Sequence, residues 1–319
     1  MSASNWSWLN FYLSTDHVQT YLHKSYLKEN IENAEKWSYE NCYAFIYYLE
    51  HGQNYYITAE KAPISIQPVL LFYGYIQLMK ACLLTTDATY PESAAVLSHG
   101  VTTRKRKKKQ YQFLHDQIKI QKNGLFTHFF SKMFHVEHLE NEKYSMEMLL
   151  QHIPEMNALF SDSFNRSYHY PINKEGKRLF IPLSIIDQLK MTVQHFSRFI
   201  KQILHPDNIM ITDDHFILEL PYNPSPISSI PLLYHYQEES FFLPKNKPLL
   251  TSNLNELMVH YLLLYNLSMI CRYETEWWGD IRHHFSHHDF PFIMQFLQTT
   301  KEKIPFYISL LLHEKRVNP

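Results

Sequence analysis

Pro68-Val-Leu-Leu-Phe-Tyr-Gly-Tyr-Ile-Gln-Leu-Met-Lys-Ala-Cys-Leu-Leu84 decides the fold class. Phe72, Ile76, Met79 and Leu83 recur with the helical period and form one apolar stripe. Gln77 and Lys80 face elsewhere. Pro68 sits where a helix tolerates it, in the first turn. Gly74 leaves room for a second helix to approach closely. The segment therefore reads as an amphipathic helix with one face destined for a core.

The same period extends to both sides. From Asp16 to His51, Val18, Tyr21, Leu22 and Tyr26 recur, followed by Ala34, Trp37, Tyr43, Phe45 and Tyr48. Gly52 is the expected stop, and residues 55–63 are expected to be extended and exposed. Leu125 to Phe134 and Met146 to Ile153 read as short helices, the first after an Asn123-Gly124 turn. Asp187 to Leu204 reads as one helix. Asn253-Leu-Asn-Glu256 offers a cap for a long apolar helix to about Cys271, and the last two helices are expected over 292–300 and 305–314.

Between 165 and 242 the period changes to two. Tyr168-His-Tyr170, Leu179-Phe-Ile181, Ile209 to Leu220 and Ile230 to Phe242 alternate like strands, with Asp213-Asp214 at a hairpin tip. The expected fold is thus mainly α, a multi-helix bundle with a minor β-element around residues 165–242. A division into 1–160 and 161–319 is expected; with no flexible linker to mark it, one continuous domain is the alternative.

Composition narrows the function. Only 6 glycines occur in 319 residues, and no G-x-G-x-x-G or Walker-type loop is present. Cys42, Cys82 and Cys271 are far apart in apolar surroundings, which speaks against a disulfide frame and for a reduced, cytoplasmic setting. The apolar run Leu257 to Ile270 is too short for a membrane span of ~20 residues. No membrane association and no cofactor are expected.

Against a net charge of −1, the run Arg104-Lys-Arg-Lys-Lys-Lys109 stands out. Six adjacent cations repel one another, so they need water or an anionic partner. His99-Gly100 precedes them, pairing a titratable ring with an unhindered backbone. His99, Gly100, Arg104, Lys105, Arg106, Lys107, Lys108 and Arg272 are the candidate ligand-binding residues, for a phosphate-bearing nucleotide or RNA. An acidic protein surface is the alternative partner. The bland reading of the run is a solvated segment with no partner at all.

A second cluster is Arg282-His-His-Phe-Ser-His-His-Asp289. On a helix, His283 and His287 lie at i,i+4 and are candidate metal ligands. Twenty histidines make such clustering easy by chance, so a polar loop before the last helix, with Asp289 near its cap, is the expectation. A third is Arg272-Tyr-Glu-Thr-Glu-Trp-Trp278, which reads as a junction of Arg272 ion-paired with Glu274 or Glu276 and packed by the Trp rings. No nucleophile–base triad is identifiable.

The block Pro68 to Cys82, Leu97-Ser-His-Gly-Val-Thr-Thr-Arg-Lys-Arg-Lys-Lys-Lys109, Gln121 to Phe126, and Glu256 to Glu274 with Trp277 resembles the YaaC-like family of bacteria across nearly the whole chain. The resemblance implies a cytosolic protein and no assigned activity. A more distant likeness, through Phe72-Tyr73 to Lys80-Ala81 and the His99-Gly100 step, is to HEPN helical bundles. It implies a HEPN-like part of the fold. It also implies an alternative function, a metal-independent ribonuclease in which Arg282 and His287 are catalytic. A protein-interaction module is the third possibility.

Overall fold

The computed structural model describes residues 6–103, 111–227, 231–283 and 288–317. The fold is mainly α, with two antiparallel sheets. Contacts group the chain into two compact units, Met1–Glu147 with His260–Pro319, and Met148–Val259. The second unit is inserted into the first rather than following it, since the last helix returns to the N-terminal helices.

The first unit begins with a 3₁₀ turn, Ser7–Leu13, then α1 (Thr15–Lys28), α2 (Ala34–Lys61) and α3 (Gln67–Leu83). Ser14 caps α1 through the His17 N–H. The break before α2 falls at Asn30 and Asn33, both at positive φ, which asparagine tolerates. Gly52 does not stop α2, and residues 55–61 are helical rather than extended. The reason is packing. A Cβ at Gly52 would lie 2.7 Å from the Leu78 side chain, and one at Gly74 2.8 Å from the Tyr56 ring. The two glycines let α2 and α3 run in close contact, and burial of Tyr56 and Ala59 holds the last turns of α2.

A small sheet follows that the sequence did not announce. Strands β1 (Val101–Thr103), β2 (Gln117–Ile120) and β3 (Lys143–Ser145) pair antiparallel in the order 1-2-3. They are too short for a period-two pattern to register. Their apolar contribution is Val101, Ile118 and Ile120, all buried. Helix α4 (Leu125–Phe134) lies between β2 and β3 in the chain, and α5 (Met146–Leu150) leads on to the second unit.

In that unit α6 (Asn157–Phe164) precedes β4 (His169–Glu175) and β5 (Arg178–Pro182). Residues 183–204 form two helices, α7 (Leu183–Gln188) and α8 (Val193–Leu204), not one. The Thr192 hydroxyl accepts from the His195 N–H and starts α8 afresh, after Lys190 at positive φ. Strands β6 (Asn208–Ile211), β7 (His215–Glu219), β8 (Leu233–His235) and β9 (Ser240–Pro244) complete an antiparallel sheet of order β6-β7-β5-β4-β9-β8. Phe196, Ile200 and Leu204 of α8 pack with Leu179, Ile181, Phe216 and Leu218 as its core. A short helix, α9 (Lys247–Leu250), closes the unit.

Helix α10 (Glu256–Tyr273) starts where the Asn255 carboxamide accepts from the Met258 N–H. It is followed by α11 (Thr275–His283) and α12 (Asp289–Val317). Two helices were expected here, yet α12 passes straight through Pro305. Proline removes one backbone hydrogen bond. Full burial of Ile304, Ile308 and the Tyr307 ring keeps the helix in place. No helix among the described residues is long and apolar enough to cross a membrane. Cys42, Cys82 and Cys271 are free thiols.

Candidate functional site

The Ser98–Gly100 step is held by a crossing of two backbones. Gly100 has φ +76° and Gly124 φ +136°, values that favour glycine. A Cβ at Gly124 would sit 2.3 Å from the Cα and N of Gly100. At this crossing the first N–H groups of α4 find their acceptors: Leu125 donates to the Ser98 carbonyl (2.7 Å) and Phe126 to the His99 carbonyl (3.3 Å). The Gly100 carbonyl accepts from Gln121 (2.8 Å), and the buried Tyr261 hydroxyl donates to the His99 carbonyl (2.9 Å). His99 therefore stands on a fixed backbone.

Its ring packs among Phe72, Tyr73 and Tyr265, with centroids 5.1, 6.3 and 5.5 Å away. Burial lowers the imidazole pKa from its ordinary 6.5, and the charges of Arg272 and Lys80 lower it further. Lys80 is itself half-buried, its ammonium 5.5 Å from the Tyr48 ring centroid, and burial lowers its pKa too. Two helices thus bring Tyr73 and Lys80 (α3) and Tyr265 and Arg272 (α10) around His99. Among the described residues no carboxylate pairs with His99, Lys80 or Arg272.

Arg272 differs from the expectation. Its guanidinium does not meet Glu274 or Glu276. It donates to the Tyr73 hydroxyl (2.8 Å) and the Ser268 carbonyl (3.1 Å), and lies 5.5 and 5.0 Å from the Tyr73 and Tyr273 rings. The arginine lies at the last turn of α10, where its own preceding turn and α3 are within reach; Glu274 falls in the break after α10, and Glu276 in the first turn of α11. The Trp rings do not pack on Arg272 either: Trp277 stacks on Tyr111 at 4.5 Å and 8°, and Trp278 donates from Nε1 to the Ser65 carbonyl (2.9 Å). Arg272→Ala removes three hydrogen bonds to neutral acceptors at a half-buried position, the third a weak one to the Met269 sulfur. A loss of about 1–2 kcal/mol in stability is expected in chemical denaturation, well below that of a broken buried ion pair.

Arg104, Lys105, Arg106, Lys107 and Lys108 lie outside the described residues. Their described flanks are anchored: Thr103 pairs with Ile118 in the small sheet, and the Tyr111 hydroxyl donates to Asp116 (2.8 Å). Arg282 lies over the Trp278 ring (5.9 Å) and its guanidinium donates to His283 Nε2 (3.0 Å); His287 lies outside the described residues. No group of three or more potential metal ligands occurs among the described residues.

Sequence reasoning missed Lys80 and Tyr73 as neighbours of His99. Lys80 was placed off the apolar stripe of α3, which was the available signal; its meeting with residue 99 depends on the glycine crossing. It also missed a second polar cluster. The His128 Nε2 lies 2.8 Å from the buried Asp87 carboxylate, with Lys132 at 3.9 Å and the Tyr90 ring stacked on the imidazole. These residues are 41 apart in sequence and no local pattern joins them.

A family model described as YaaC-like Protein matches residues 10–312, nearly the whole chain. No curated protein and no solved structure matches the chain. The chain belongs to the YaaC-like protein family.

Proposed function

We propose that this protein binds a phosphate-bearing ligand, a nucleotide or RNA, through His99, Gly100, Lys80, Tyr73 and Arg272. The basic residues Arg104 to Lys108, which follow His99 closely in the chain, supply further positive charge to the ligand. One observation carries the reading. Three nitrogen bases converge at a half-buried place without a carboxylate among the described residues to balance them. Two of them, Lys80 and Arg272, are cations at pH 7; they repel one another and hold the His99 ring neutral, and an anion relieves the repulsion. The Tyr73 hydroxyl and the forked guanidinium of Arg272 add directed donors suited to phosphate oxygens. The ribonuclease alternative, with Arg282 and His287, and the interaction module draw no comparable observation from the described residues.

The pH dependence follows from His99. Its pKa is held below 6.5 in the free protein, so the ring is neutral at pH 7. A phosphodiester beside it favours the charged ring and raises that pKa. Affinity for RNA is therefore expected to rise as pH falls from 7.5 through the ordinary histidine range of about 6.5, and His99→Ala should flatten this slope. The sign for the fold is opposite. With the folded pKa below the unfolded one, the unfolded chain takes the proton first, and free-protein stability falls as pH drops below about 6.5.

The test is binding of ATP and of a short single-stranded RNA across a salt series, with wild type, Arg104→Ala/Arg106→Ala, Lys107→Ala/Lys108→Ala and Arg272→Ala. The variants should bind more weakly and with a shallower salt slope. Preference for ATP or for the RNA separates the two ligand sources. Indistinguishable curves, or no wild-type binding at low salt, would refute the reading.

A further inference from the structure

A cavity in the first unit lies between one face of α1 and the end of α12. It measures about 260 Å³ and is lined by Phe11, His17, Thr20, Tyr21, Lys24, Lys28, Lys315 and Arg316. The sequence places His17, Thr20, Lys24 and Lys28 at i, i+3, i+7 and i+11, so one helical face presents them together. Four of the eight lining residues carry full positive charges. Glu29 pairs with Lys315 at the rim.

The wall beneath them is aromatic. The Phe11 and His17 rings are parallel, 10° apart with centroids 5.1 Å apart, and the Arg316 guanidinium carbon lies 4.7 Å from the Phe11 centroid. The Tyr21 ring is buried, and its hydroxyl donates to the Leu312 carbonyl (3.1 Å), so it is fixed as floor. The Arg316 Nη2 contacts His313 Nδ1 at 3.2 Å, which helps hold the guanidinium over Phe11. Cations at the C-terminal ends of α1 and α12 complement the helix dipoles, and that accounts for Lys28, Lys315 and Arg316 in part. It does not account for the cavity they enclose, nor for Lys24 and His17, which lie further back on the same face.

Size selects the ligand class. Pockets for drug-sized ligands run from roughly 300 to 1,000 Å³, so this one suits a single ring with one charged group and not a polymer. We propose that this cavity binds a small aromatic phosphate monoester, its ring against Tyr21 and the Phe11–His17 pair and its phosphate among Lys24, Lys28 and Arg316. The site shares no residue with the His99 cluster and does not depend on it.

Phenyl phosphate is the probe, titrated calorimetrically at low salt into the full chain. Wild type is expected to bind it at least about tenfold more tightly than inorganic phosphate or phenol, because only the ester uses both wall and rim. Lys24→Ala and Arg316→Ala should each weaken binding by about tenfold. Both side chains are exposed, so neither change should unfold the protein. Lys201→Ala, an exposed change in the second unit, should leave the affinity unchanged, and in the Arg272→Ala background the preference for the ester over inorganic phosphate should persist, which separates this site from the other. Absence of binding at millimolar concentration, equal affinity for inorganic phosphate, or a loss of affinity in Arg272→Ala with none in the two cavity variants would overturn the proposal.

Discussion

Gly124→Ala is expected to cost at least about 3 kcal/mol of stability and to lower the melting temperature by several degrees or more. Two costs add. The backbone there has φ +136°, which an alanine rarely adopts, and the new Cβ would lie 2.3 Å from backbone atoms of Gly100. Side chains at their flexible ends can move aside; a peptide backbone tied by the Gln121 to Gly100 hydrogen bond cannot do so cheaply. Release of the crossing would also free the His99 carbonyl from Phe126 and Tyr261. Gly279→Ala is the control. Nothing lies within 4 Å of its Cβ, and it occupies the interior of α11. That change should leave the melting temperature unchanged or raise it slightly. Equal melting temperatures for Gly124→Ala and wild type would show that the crossing is not a constraint.

Asp289→Ala is the second large effect, at about 3–5 kcal/mol. The buried Asp289 carboxylate accepts from the Phe113 N–H (2.7 Å) and the Leu114 N–H (3.1 Å), residues that follow the basic run. Removal leaves two buried donors without an acceptor, and each bond to a charged group is worth roughly 1.5–3 kcal/mol. Asp289 also opens α12, where a negative charge suits the helix dipole. Asp289→Asn keeps one acceptor oxygen and should lose markedly less. Chemical denaturation of the three proteins checks the order: wild type, then Asn, then Ala. Similar midpoints for Asn and Ala would place the effect in the helix start alone.

These two sites show what the sequence carried and what it did not. The stripe Phe72, Ile76, Met79 and Leu83 was enough for α3, since a core-facing helix is a local matter of period. Strands β4 to β9 were legible for the same reason, at period two. Gly52 was not. A glycine reads alike as a stop and as a packing gap, and only the opposing Leu78 side chain decides. Pro305 likewise reads as a break until the burial on both sides of it is known. Asp289 was placed correctly near a helix start, but its acceptors' partners, 176 and 175 residues earlier, have no local mark. The candidate site divides in the same way. His99 and Arg272 were named for their own chemistry; that Arg272 serves Tyr73 and not the adjacent glutamates is a matter of helix direction, which the local run of charges concealed.

Lys80, His99 and Arg272 are proposed to act together as one anion site. The most direct measurement is a double-mutant cycle on the affinity for inorganic tripolyphosphate at 50 mM salt, with Lys80→Ala, Arg272→Ala and the double variant. Each single change is expected to weaken binding by about tenfold or more, and the two are not additive, because both side chains contact one ligand. Wild-type affinity in the double variant, or no binding by the wild type at this salt, would contradict it.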